Sequence, residues 1–108
     1  MPAAIPAELD TVGPVLVTIE YHVDSERVAE FLKVMHENGR IRRRDGASQW
    51  GICRDLEAPD RYLETFVVAS WAEHVRQHDR LTLADSQIED RLRGCISNEP
   101  SVRHLIYL

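Results

Sequence analysis

Two histidines stand four residues apart in Glu73-His74-Val75-Arg76-Gln77-His78, a spacing that sets both on one side of a helix. Zinc would use that spacing but requires a third ligand, and the glutamate that metalloproteases carry between their histidines is absent, so no metal site is assigned. His78 shares a helical stripe with Trp71 and Val75, where an imidazole on a mostly apolar face is suited to accept a proton. His74 is the other candidate base. Arg54 is the candidate stabilising cation and Tyr62 a candidate hydrogen-bond donor. Trp71, Trp50 and Tyr62 could wall a site for a flat aromatic ligand, because indole and phenol rings offer large stacking faces. For Trp71 a plain core anchor is the competing role. His22 and Glu64 fall inside strands with Glu20 and Arg54, where a charge must be paired, hydrated or placed at the polar end of a pocket.

These groups need a scaffold, and 108 residues supply one domain with a modest core. Residues 1–13 hold Pro2, Pro6 and Gly13 with no apolar period and read as a flexible lead, leaving 14–108 as the domain. Val15–Val23 alternates β-branched and polar residues and is the first strand. Asp24 or Ser25 should cap a helix whose stripe is Val28, Phe31, Leu32 and Met35; it ends at Asn38-Gly39 or runs to Asp45-Gly46. Strands follow at about 47–54 and 62–69, separated by the Ala58-Pro59-Asp60 turn. Ser70 and Glu73 form a capping box for a long second helix reaching toward Gly94, and Val102–Tyr107 is the fourth strand.

The order βαββαβ is the ferredoxin-like arrangement, an α+β fold with both helices on one face of a four-stranded antiparallel sheet. The third strand offers Tyr62, Phe66 and Val68 to one side and Leu63, Val67, Ala69 and Trp71 to the other. An apolar outer face asks for a cover, and a second copy of the same sheet provides it, predicting a homodimer.

Composition narrows the partners. A net charge of −5 argues against nucleic acid, which needs clustered positive charge. No run approaches the roughly 20 apolar residues of a membrane span, and the N-terminus lacks a secretion signal, so a cytoplasmic protein is expected. Cys53 and Cys95 read as reduced thiols, with a bridge between them as the alternative. Arg40, Arg42, Arg43 and Arg44 read as a solvated helix end that complements the dipole; contact with anionic lipid is a weaker alternative.

Three segments carry a resemblance. Gly13-Pro14-Val15-Leu16-Val17-Thr18-Ile19-Glu20-Tyr21, Ile41-Arg42-Arg43-Arg44-Asp45-Gly46-Ala47, and Tyr62 through His78 with Ser70-Trp71-Ala72-Glu73-His74 at its centre resemble the soluble C-terminal extension of enterobactin-exporter-like major facilitator transporters. That extension is similar to the antibiotic biosynthesis monooxygenase domain. The resemblance spans about residues 13–108 and implies a dimeric α+β barrel. It also implies a divided function, since such domains include oxygenases that need no cofactor, haem-degrading enzymes and members without known activity. The haem-degrading branch uses a first-strand asparagine and a later helix tryptophan, which Val15–Val23 and the residues after Trp71 do not provide. A ligand-binding, regulatory or dimerisation module associated with a transporter is therefore expected, without a cofactor. The alternative is a cofactor-independent monooxygenase acting on an electron-rich aromatic or quinol.

Overall fold

The computed structural model describes Pro6, residues 12–78 and residues 83–108, apart from the side chains of Gln77, His78 and Ala84. Most of the expected N-terminal lead lies outside these residues. The elements are β1 (Val15–His22), a 3-10 turn (Ser25–Arg27), α1 (Val28–Arg44), β2 (Ser48–Arg54), β3 (Arg61–Val68), α2 (Trp71–His78), α3 (Leu83–Arg93) and β4 (Ser101–Ile106). The sheet runs β2-β3-β1-β4 with every pairing antiparallel, which is the ferredoxin-like order. No helix among the described residues is long and apolar enough to cross a membrane.

Period-two alternation decides which side chains go where. Val15, Val17, Ile19 and Tyr21 of β1 face Val68, Phe66, Glu64 and Tyr62 of β3 in register, and all eight are buried beneath the helices. Phe31, Val34 and Met35 of α1 close this core, with Phe31 meeting Tyr21 edge-on at 5.5 Å. The outer face carries Leu16, Leu63 and Val67 with Thr18 and Thr65, and Leu105 of β4 is 50% exposed there. It is less apolar than expected, because Trp71 does not belong to it. β3 stops at Val68, and Trp71 opens α2 on the helical side against His104.

α1 passes straight through Asn38-Gly39 and ends at Arg44, where Gly46 adopts φ 105 and Gly46 N donates to the Arg43 carbonyl at 3.1 Å. Gly39 is buried inside the helix because Trp50 lies on it: a Cβ there would stand 2.7 Å from the indole. The expected Asp24 side-chain cap is not made; the turn begins with a backbone bond from Arg27 N to the Asp24 carbonyl. The Ser70 cap is made, with Glu73 N donating to Ser70 Oγ at 3.2 Å. The expected second helix is described in two parts, α2 and α3, and residues 79–82 between them lie outside the described ones. Cys53 and Cys95 are both free thiols, so no bridge joins them.

Candidate ligand cavity and its buried polar network

Glu64 is 0% exposed, so its charge must be met by protein groups. Four residues from three elements meet it. Tyr21 Oη donates to Oε1 at 2.8 Å, Trp50 Nε1 to Oε2 at 2.8 Å, Arg42 Nε to Oε2 at 3.0 Å and Arg42 Nη2 to Oε1 at 3.3 Å; Asn38 Nδ2 is 3.4 Å away. Local geometry makes this convergence work. Asn38 and Arg42 are four apart on α1 and continue the inward stripe of Phe31 and Met35. A bulge in β2, where Ser48 pairs with Val67 but Gly51 with Thr65, puts Gln49 at φ 51 and turns Trp50 toward Glu64. Arg42 is therefore no solvated helix end, unlike exposed Arg40, Arg43 and Arg44. Its guanidinium lies 4.6 Å from the centre of the Phe66 ring.

Burial pushes the Tyr21 phenol well above its ordinary value of 10.0, and the Glu64 carboxylate pushes the same way. For Arg42 burial acts downward, but the charge and hydrogen bonds of Glu64 outweigh it and hold the guanidinium firmly protonated.

Above the network lies a cleft of about 390 Å³ between the sheet and the helices. Ile19, Phe66, Ile88, Leu92 and Val102 supply its apolar lining, while Arg42 and Asn38 enter from α1 and His74 from α2. Its scale falls within that of small-molecule sites, and Asp45, Asp85, Glu89 and Arg93 make its rim more polar than most of them. His74 Nε2 lies 3.3 Å from His104 Nε2 on β4, and Trp71 stands edge-on to His104 at 4.7 Å.

Of the residues singled out from sequence, His74 lines the cavity and Glu64 lies directly behind it. Trp50 and Trp71 back the polar groups without forming the wall, and Tyr62 packs against Phe31 in the core at 5.2 Å. Arg54 is exposed at the end of β2. The side chain of His78 is outside those described. His22 belongs to the outer face. Tyr21, Asn38, Arg42 and His104 were missed, although each sits at the correct period for the inward side of its element. Among the described residues no three His, Cys, Asp or Glu side chains are grouped to hold a metal ion.

The His22 cluster has a pH signature. His22 Nδ1 lies 3.1 Å from Asp60 Oδ2 and Nε2 3.3 Å from Glu20 Oε2, while Arg61 joins Glu20 to Asp55. The Asp60 hydrogen bond, helped by Glu20, lifts His22 above 6.5. Its contribution to stability is then complete below 6.5 and lost as pH rises through the higher folded value. Hydrogen bonding to Arg61 lowers Glu20 below 4.5, and bonds from the Glu57 amide and Arg61 lower Asp55 below 3.8, so their contribution is lost as pH falls through those depressed values. The stability difference between wild type and His22→Gln, followed by thermal melting, should be largest between 4.5 and 6.5 and shrink above neutrality. A difference independent of pH would contradict this account.

The sheet order and the helices on one face define a ferredoxin-like α+β fold, which this chain shares with several solved structures. A protein from Caulobacter crescentus termed an antibiotic biosynthesis monooxygenase superposes with a TM-score of 0.79 at 16% identity, covering 94% of this chain and 95% of that one. A conserved protein from Methanosarcina mazei gives 0.77 at 15%, covering 94% and 99%. SnoaB, a cofactor-independent oxygenase from Streptomyces nogalater, gives 0.74 at 14%, covering 89% and 94%. No curated protein matches in sequence. The chain belongs to the transmembrane secretion effector family of transporters, whose model matches residues 3–108.

Proposed function

We propose that this domain is a small-ligand-binding module, built from residues 14–108, that pairs with a second copy through its outer sheet face. It serves a transporter of its family as a soluble C-terminal extension of the enterobactin-exporter-like kind, on the cytoplasmic side of the membrane. The carrying observation is the cavity. A purely structural dimerisation module would fill that space with side chains, whereas here it stays open and sets His74, Asn38 and Arg42 beside apolar side chains. A flat hydroxylated aromatic suits a cleft that sets apolar side chains beside hydrogen-bonding groups.

Calorimetric titration with 1,4-dihydroxynaphthalene should give saturable binding that Ile88→Trp abolishes by filling the cleft. Equal binding by both chains would place the ligand elsewhere. Pairing is read by light scattering. The wild type should be a dimer at micromolar concentration and Leu63→Asp a monomer, since Leu63 lies on a central strand of the outer face.

A second reading is favoured by one observation: His74 and Arg42, a base and a cation, line the same cavity. That arrangement suits cofactor-independent oxidation of a quinol, and SnoaB, which shares the fold, is a cofactor-independent oxygenase. Oxygen uptake with an anthrone or hydroquinone should then fall at least about a hundredfold in His74→Ala, the scale of lost general-base catalysis. His78→Ala tests the other candidate base, and rates at background in all three proteins would end the enzymatic reading.

A further inference from the structure

We propose that His74 and His104 form one proton-sharing unit that takes the proton of an ionisable hydroxyl on the cavity's ligand, an inference that rests on the cavity being a ligand site. His74 would touch the ligand, and His104 would act through it as a positioning residue.

The geometry sets the number of protons the pair can hold. At 3.3 Å between the two Nε2 atoms, a single hydrogen occupies the gap, so one neutral ring donates and the other accepts. One added proton turns this into a charge-assisted bond between imidazolium and imidazole. A second would place two cations at the same distance, so the rings titrate as a coupled pair. The pair thus takes one proton readily and resists another.

The surroundings fix the rings and favour a single positive charge. Trp71 meets the His104 ring at 88° and 4.7 Å, and Phe66 lies 6.2 Å from the His74 ring. From α1 come Arg42 and Asp45, from α3 Asp85, Glu89 and Arg93, and from β1 Tyr21, all lining the same cavity. Among the described lining residues these are three carboxylates against two guanidiniums, and Glu64 lies behind Arg42. Arg42, whose guanidinium also lies over Phe66, uses Nε and Nη2 on Glu64 and leaves Nη1 outside those bonds. A neutral hydroxylated aromatic entering the cavity beside His74 can lose its proton to the pair, its oxygen keeping the electrons. The O–H bond breaks, an N–H bond forms, and the net charge of the cavity is unchanged. Alcohols without an acidic hydroxyl would gain nothing from the pair.

The probe is 4-nitrophenol, whose anion absorbs in the visible and whose neutral form does not. At a pH where the free probe is neutral, probe bound to the wild type should show the anion band. In His104→Phe, which keeps a ring against Trp71 and removes the nitrogen, bound probe should stay colourless and bind about tenfold more weakly, the scale of one lost charge-assisted hydrogen bond. Equal colour in wild type and His104→Phe overturns the pair while leaving the ligand cavity standing. Absence of binding to the wild type overturns the cavity reading and this inference with it. Nitrogen-15 spectra of the wild-type imidazoles need no variant: the two rings should titrate in step over the first proton, and independent titration curves would overturn the proposal.

Discussion

Arg42→Met is expected to destabilise the domain by about 3–5 kcal/mol, the cost of stripping the partner from a buried charge. Methionine keeps the stem over Phe66 and removes two of the bonds to Glu64, leaving a carboxylate with no solvent exposure to three neutral donors, Tyr21, Trp50 and Asn38. Urea unfolding measures the loss. The double variant Arg42→Met with Glu64→Gln should recover part of it, since the uncompensated charge is gone, with a coupling of about 0.5–3 kcal/mol. A surface pair gives the contrast. Arg93 and Glu99 bond at 2.6 Å but both are largely exposed, and Glu99→Gln should change stability by less than about 1 kcal/mol. An Arg42→Met loss no larger than that of Glu99→Gln would mean that the network is not holding the sheet to α1.

Phe31→Ala should cost a comparable amount, about 3–5 kcal/mol, for a different reason. Phe31 has no exposed surface and contacts both Tyr21 at 5.5 Å and Tyr62 at 5.2 Å, so its removal opens a void flanked by two rings. Part of the loss is transfer of the ring to water and part is the unfilled space. Because Tyr21 also carries a bond to Glu64, the void touches the polar network from behind. Half-buried Leu32, its neighbour on α1, should lose clearly less on truncation. Equal losses at Phe31 and Leu32 would argue that this corner collapses to refill the gap.

The fold was legible because its signals are local and periodic. The alternation in Val15–His22, the Ser70 cap and the turn at Ala58-Pro59-Asp60 each announce an element without reference to any other. Glu64 was legible as a charge requiring a partner, but the partner was not. Among Arg40, Arg42, Arg43 and Arg44 composition offers no distinction; only the run Phe31, Met35, Asn38, Arg42, spaced by four, three and four, marks one arginine as inward. His104 likewise shares parity with Val102 and Ile106. What no periodicity encodes is convergence across elements. The bulge that turns Trp50 and the approach of α2 to β4 depend on how strands and helices meet, so the two-histidine contact was hidden and the His74–His78 spacing drew the eye instead.

The strict alternation of β1 and β3 means that neighbouring residues in the chain serve different tasks: Ile19 and Phe66 belong to the interior, Thr18, Thr65 and Leu63 to the outside. Single substitutions on one parity can therefore remodel the interior without touching the other surface. The chemistry of the interior can thus be exchanged while the outer surface stays the same. Insertions are another matter. One added residue in either central strand would exchange the two sets at a stroke, so variation here should accumulate as replacements in the strands and as length changes only in the loops.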